Sequence, residues 1–362
     1  MGYRIFYAVQ EVRVNDLPIH GVQSVSSTTN FQLDKVFEFG NINIYETIEN
    51  IPNVELNVTK AIDGYPCIYT AASNTASSPT LAGRTSIPVN VKLLVFDDTV
   101  ANYTSGVASL NAMECQSMFI SSLQYNFPVN ENGTEAVTFV GNDKLWAIDS
   151  RVTNTDLNAR KAALSLNGAI DGADSPSGYG HVFRRQHFIF GNSATTSSIL
   201  PKDIPGIDSN GYNLATGPNG SYAAHISNVS IKTDLSREEL YEEGRRTPYY
   251  RPVNFPVEVT TEIETVAVSG DNISATESGI IGTTESNLQD CTIKILVSQG
   301  LGLWLGTKNK LQSVSYGGGD TGGGYSKATY NYMTYNTLTV VQSGDPNASG
   351  MAWWTGRATY FV

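Results

Sequence analysis

The residues of this sequence with side chains suited to catalysis or metal binding are few and badly spaced for either. Histidine occurs at His20, His181, His187 and His225 only, and the closest pair, six apart around Arg184-Arg185, misses the i,i+4 spacing of helical metal ligands. Cys67, Cys115 and Cys291 are odd in number and far apart, so they encode neither a zinc site nor a disulfide framework. Neither GxSxG nor HExxH occurs, which leaves a nucleophile elbow and a zincin helix without support. The run Gly317-Gly318-Gly319-Asp320-Thr321-Gly322-Gly323-Gly324 lacks the Lys-Ser/Thr of a phosphate loop and reads as a hairpin tip. Asp171-Gly172-Ala173-Asp174 lacks the twelfth-position Glu of an EF-hand loop and reads as a turn. The expectation is therefore a protein that is no enzyme, with no catalytic residue, no metal and no cofactor.

The rest of the composition points to strands and turns. Charged residues make up 16% of the 362 residues, while Gly (33) and Tyr (19) are abundant. The net charge of −11 disfavours a protein that grips phosphates through its overall field. No apolar run is long enough to span a membrane as a helix, and the first residues, MGYRIFYAVQEVRV, lack a signal peptide's apolar centre, so the chain is expected to be made in a cytosol.

Period-two alternation predicts strands at 3–14, 22–26, 54–58, 89–96, 119–127 and 136–140, and again at 225–233, 257–268, 292–297, 311–316 and 328–341. Helix signals are confined to Thr155–Leu166 and Leu235–Glu243, the latter laced with Arg237, Glu238, Glu239, Glu242 and Glu243 before Gly244. The Gly-, Ser-, Pro- and Asn-rich stretch 168–220 reads as a connection.

A repeat organises these elements. Residues 20–52 laid over 224–256 give eight identities in 33 gapless positions, among them Val25/Val229, Glu38/Glu242, Gly40/Gly244 and Tyr45/Tyr249. Val54-Glu55-Leu56 then matches Val257-Glu258-Val259 at an offset of 203, Val91–Val95 matches Ile293–Val297 at 202, and Ser122–Tyr125 matches Ser313–Tyr316 at 191. This predicts a duplicated β-domain: 1–167, then the connection 168–220, then 221–362, with the N-terminal strand 1–14 free to pair elsewhere.

The hairpin from Ser122-Leu123-Gln124-Tyr125 through Phe127-Pro128-Val129 to Val137-Thr138-Phe139-Val140-Gly141-Asn142-Asp143-Lys144-Leu145-Trp146 resembles that of bacteriophage tail tube proteins. The stretch from Ser236 to Glu264 is similar to segments of virion proteins of large phages. The resemblance implies a mainly β chain of two tandem tail-tube-like β-barrel or β-sandwich domains, each with about one short α-helix. It implies a virion location in the tail, assembly in the host cytoplasm, and partnership with itself in rings stacked into a tube. Two domains per chain would make those rings trimers with pseudo-sixfold symmetry. Other partners implied are sheath, terminator, baseplate and tape-measure proteins, with phage DNA passing through without specific binding. The alternatives are a tail adaptor, baseplate hub or capsid-decoration protein, or a carbohydrate-binding or adhesin module suggested by Trp304, Trp353 and Trp354. Acidity suits a DNA conduit, because carboxylates repel phosphate at short range. The low-charge stretches Ala71–Arg84 and 317–324 are expected at contacts between subunits. Aromatic and Arg enrichment at interfaces selects Arg245, Arg246, Tyr249, Tyr250 and Arg251 as candidate intersubunit contacts.

Overall fold

The computed structural model describes residues 10–73, 76, 80–96, 110–147, 182–191, 197–213, 224–267, 270–271, 273, 289–297, 300–319 and 324–342. Over these the chain is mainly β. Its first part holds β1 (Gln10–Val14), β2 (Leu17–Pro18), β3 (Val22–Asn30), β4 (Leu33–Phe37), β5 (Ile44–Glu49), β6 (Asn53–Ala61), β7 (Val89–Val95), β8 (Asn111–Pro128), β9 (Thr134–Gly141) and β10 (Leu145–Ala147), with two short helices, α1 (Ile68–Ala72) and α2 (Leu81–Thr85). Its second part holds β11 (His225–Asp234), β12 (Glu258–Val266), β13 (Lys294–Val297), β14 (Leu301–Trp304), β15 (Lys310–Gly317), β16 (Lys327–Tyr335) and β17 (Thr339–Gln342).

Eight strands form one continuous antiparallel run, in the order β3-β6-β9-β8-β11-β12-β16-β15. Alternation gives this run an apolar face: Val54, Leu56 and Val58 of β6, Val137 and Phe139 of β9, Leu123, Tyr125 and Phe127 of β8, Val229 and Ile231 of β11, Val259 and Ile263 of β12, and Tyr330 and Tyr332 of β16 are all buried. Smaller groups of strands carry the rest of that core. β7 lies between β1 and the first half of β8, which also takes β10, and β13-β14-β17 form a separate sheet. β8 is long enough to serve both layers, turning at Ser117, whose φ of 52° is left-handed. In the second part the corresponding length is divided into β14 and β15 at Gly306 (φ 78°), where an added Cβ would lie 2.7 Å from the Thr337 methyl.

The pairing pattern recurs along the chain. β3 meets β6 with an extra residue at Gln23, and β11 meets β12 with one at Ser227, 204 positions later. β8 meets β9 with an extra residue at Ser121, and β15 meets β16 with one at Gln312, 191 later. Val25↔Val58 becomes Val229↔Ile263, Leu93↔Met113 becomes Ile295↔Leu303, and Met113↔Trp146 becomes Leu303↔Val340. One offset differs from expectation. Val54 lies opposite Thr29 and Val259 opposite Thr233, so β6 corresponds to β12 at 205 rather than 203. A slip of two keeps every side chain on its own face, which is why the apolar pattern matched either way.

Other expectations need correction. Leu235–Glu243 is extended, not helical: Asp234 Oδ1 accepts the Ser236 amide at 2.9 Å, Ser236 turns left-handed (φ 41°), and Leu240 pairs with Tyr250. It is the first limb of a hairpin arm whose counterpart is β4-β5: Val36↔Glu46 becomes Leu240↔Tyr250, and both tips carry a left-handed glycine, Gly40 and Gly244. The α-helices of the described residues, α1 and α2, lie in the stretch Ala71–Arg84 and beside it, and Ala71, Ala72, Ser73, Leu81 and Arg84 are buried within the chain. The strand expected over 328–341 is interrupted at Asn336, left-handed at φ 58°. The helix expected at Thr155–Leu166, the turn at Asp171–Asp174, His181, Trp353 and Trp354 lie outside the described residues.

Candidate functional site

Three features of the described surface stand out: a polar sheet face, two open sheet edges and two projecting arms. The face of the eight-stranded run opposite the core is built from Ser24, Ser26 and Thr28 of β3, Glu55, Asn57 and Thr59 of β6, Ser122, Gln124 and Asn126 of β8, and their cross-strand neighbours. Ser122 Oγ donates to Thr138 Oγ1 at 2.8 Å and Thr138 Oγ1 to Asn57 Oδ1 at 2.6 Å, a hydroxyl-amide chain running across three strands. Its charges are mostly carboxylates: Glu55, Asp234, Glu258, Glu262 and Glu264 against Lys232, Lys310 and Lys327. Lys327 Nζ lies 2.8 Å from Glu264 and, with Ser227 donating as well, holds that carboxyl below its usual range although burial opposes it. A shallow groove crosses this face at the β8-β11 joint, between Gln124, Lys232, Asp234, Phe255 and Glu258.

The edges of the run are β3 and β15, and among the described residues neither has a strand on its outer side. Isolated sheet edges are ordinarily blunted by charge or proline, yet the nine residues Val22–Asn30 contain neither. Inside the chain their counterparts are joined: β11 pairs with the second half of β8 from Asn228↔Pro128 to Asp234↔Ser122. The joint buries what the edges leave open. Tyr125 is fully buried, whereas its counterpart Tyr316 is 52% exposed; Leu235 is fully buried, whereas its counterpart Phe31 is 70% exposed.

The arms differ in the same way. The base of the second is seated on the first part of the chain: Arg237 donates to the carbonyl oxygens of Ile120 and Thr85 and stacks over Phe119, and Arg251 bonds Asn142 and Glu239. The first arm is exposed from base to tip, with Phe39 and Ile42 wholly in solvent. Of the five expected contact residues, Tyr249 and Tyr250 are exposed on the second arm. Arg245 bonds Glu242 at 3.1 Å, and Arg246 reaches the Glu49 carbonyl of the first arm at 3.4 Å. Arg251 is buried, its guanidinium turned into its own chain.

Beneath the sheet lies a polar network that the sequence reading missed. Glu135 is fully buried, its carboxylate accepting the amides of Ile68 (2.6 Å) and Tyr69 (3.1 Å) at the start of α1 and the Tyr125 hydroxyl (2.8 Å). Burial outweighs those donors and raises its pKa above the usual 4.5. The folded state thus holds this proton more tightly than the unfolded chain does. The contribution to stability is complete below about 4.5 and is lost as pH rises through the folded value. Glu135→Gln is expected to gain stability relative to the parent between pH 4 and pH 7, read as urea midpoints; a difference that stays constant with pH would refute it.

No group of three or more His, Cys, Asp and Glu capable of holding a metal occurs among the described residues, and no helix among them is long and apolar enough to cross a membrane. No family model matches the chain, and no curated protein matches it in sequence. Solved structures do. One is the tube-terminating cap of the anti-feeding prophage, at 12% identity and TM-score 0.32, covering 41% of this chain and 93% of the cap. Another, from the sheath-tube complex of the PVC extracellular contractile injection system, has 12% identity and TM-score 0.31, covering 40% of this chain and 93% of that one. A third, from the anti-feeding prophage baseplate, has 10% identity and TM-score 0.29, covering 42% of this chain and all of its own.

Proposed function

We propose that the chain is a structural subunit of a phage tail, two tandem tube-type β-domains that assemble with further copies into rings, and that the rings stack into a tube for genome passage. The domains are residues 1–167 and 221–362, related by duplication, with 168–220 as the connection. The observation that carries this reading is the β8-β11 joint. Two equivalent four-stranded units meet edge to edge inside one chain, and the same two kinds of edge stand open at its ends. A head-to-tail contact of that kind repeats from copy to copy and makes a ring where its rotation closes. Three chains would then supply six units. With the core and the smaller sheets behind it, the polar, mostly anionic face becomes the inner wall, where carboxylates discourage phosphate from sticking. The arm tips, with Arg245, Arg246, Tyr249 and Tyr250, are left for the neighbouring ring.

Electron microscopy of the concentrated protein tests the proposal. Rings of three chains, and tubes with a regular axial repeat, are expected; a monodisperse monomer at every concentration would overturn it. Arg245→Ala with Arg246→Ala is expected to leave rings but shorten the stacks.

A further inference from the structure

The contact between chains follows residue by residue from the internal joint. Resting on the ring reading above, we infer that β3 of one copy pairs with β15 of the next in the register of β11 on β8, and that Phe31 fills the place Leu235 fills inside the chain. The partner this edge takes is a second copy of the same chain.

The mapping is fixed by the pairings already described. β3 stands to β11 at an offset of 204, and β15 to the second half of β8 at 191, each anchored by a matching extra residue, Gln23 with Ser227 and Gln312 with Ser121. Carrying the joint across these offsets places Val25 opposite Gly318, Ser27 opposite Tyr316, Thr28 opposite Ser315, Thr29 opposite Val314 and Asn30 opposite Ser313. At the end of the joint the Leu235 amide donates to the Ser121 carbonyl at 2.8 Å. The equivalent bond runs from the Phe31 amide to the Gln312 carbonyl of the neighbour. The exposure contrasts agree with this: Phe31 and Tyr316 are large, exposed and placed where their counterparts are fully buried. Both edge strands are also free of proline, and β3 is free of charge, so nothing on it opposes pairing. The arm that follows Phe31 lacks, among the described residues, the seat that Arg237 and Arg251 give its counterpart, and takes at its base the Arg246 bond to the Glu49 carbonyl. Its counterpart rests on the unit across the joint, and its own support would be the neighbouring copy.

The test uses the internal geometry as a ruler. Bonds alternate along an antiparallel pair; because Leu235 and Ser121 are bonded partners, Lys232↔Gln124, and by extension Thr28↔Ser315, is a non-bonded pair. Its Cα atoms should lie about 4.5 Å apart, within disulfide reach. Thr28→Cys with Ser315→Cys is expected to give covalent dimers and trimers on mild oxidation, against a background of three native cysteines that are all buried. Thr28→Cys with Ser313→Cys, two residues out of register, should give few. Efficient cross-linking of the shifted pair, or of neither pair in a preparation whose rings are visible by microscopy, would overturn the register while leaving the ring reading in place. Phe31→Asp is expected to weaken ring formation at least tenfold, from the lost burial of one aromatic side chain, whereas Phe39→Asp at the arm tip leaves ring closure unchanged. Equal ring formation by Phe31→Asp would refute the anchor. Wild-type protein that forms no rings would instead overturn the reading on which the inference rests.

Discussion

An Arg84→Ala protein is expected to lose at least about 3 kcal/mol of stability, the largest single effect among substitutions away from the assembly surfaces. Arg84 sits in α2, is 1% exposed, and sends its guanidinium in two directions at once. It donates to Ser73 Oγ at 2.8 Å, at the end of α1, and to the Val340 carbonyl at 2.6 Å, in β17 of the second part. Its Cζ also lies 4.9 Å from the Tyr69 ring centroid. Hydrogen bonds from a charged donor contribute about 1.5–3 kcal/mol each, and truncation would leave buried acceptors without them. A second tie crosses the same boundary. Gln342 of β17 accepts the Cys67 amide at 2.9 Å and donates to the Tyr65 carbonyl at 2.8 Å. The two short helices therefore hold the first and second parts of the chain together, and removing Arg84 loosens both. Arg84→Met, which keeps much of the volume, should lose less, and exposed Arg245→Ala should stay within about 0.5 kcal/mol of the parent. Urea midpoints at pH 7 measure all three; an Arg84→Ala midpoint equal to the parent's would show that the helices do not clamp the two parts.

Strand positions were legible in the sequence because burial on one face imposes period-two alternation, as at Val54-Leu56-Val58 and Val137-Phe139. The elements missed were those where burial imposes nothing of the kind. β4 and β5 are exposed throughout, so their apolar residues follow no inside-outside rule. α1 and α2 have five residues each, too few for a 3.6-residue period to register. Leu235–Glu243 carried charges at helical spacing, but those charges serve an extended arm, with Arg237 spanning to the Ile120 and Thr85 carbonyl oxygens across the joint. Glu38/Glu242 and Gly40/Gly244 fall at matching positions of the two arms, but in sequence nothing marks either segment as a hairpin. Which edges stand open was not legible, since a strand's sequence does not say how many neighbours it has. The absence of charge and proline from Val22–Asn30 was the only trace. The buried Glu135 gave no signal either, because in sequence it is one carboxylate among 34 acidic residues.

Ser27→Pro should abolish ring formation while leaving the monomer folded, and its position makes it the most selective test of edge pairing. Successive residues of an antiparallel strand direct their N–H and C=O groups to alternate sides. In β11 the Leu235 amide faces β8, so Ile231, four residues earlier, faces β8 as well, and its counterpart in β3 is Ser27. The Ser27 amide therefore points away from β6, toward open solvent in the monomer and toward β15 of the next copy in a ring. Proline there removes no internal ladder bond, and its fixed φ is compatible with an edge strand. In the ring the same ring carbons stand where a strand must approach, and an N–H that should donate is gone. Loss of more than about 2.8 kcal/mol per joint corresponds to at least about a hundredfold weaker association, repeated at every joint of a closed ring. Thr28→Pro is the complement. Its amide faces β6 within the same chain, so it should lower the urea midpoint of the monomer, whereas Ser27→Pro should barely move it. Analytical ultracentrifugation with circular dichroism separates the outcomes. Rings formed by Ser27→Pro at wild-type concentrations would show that the chains do not join through this edge.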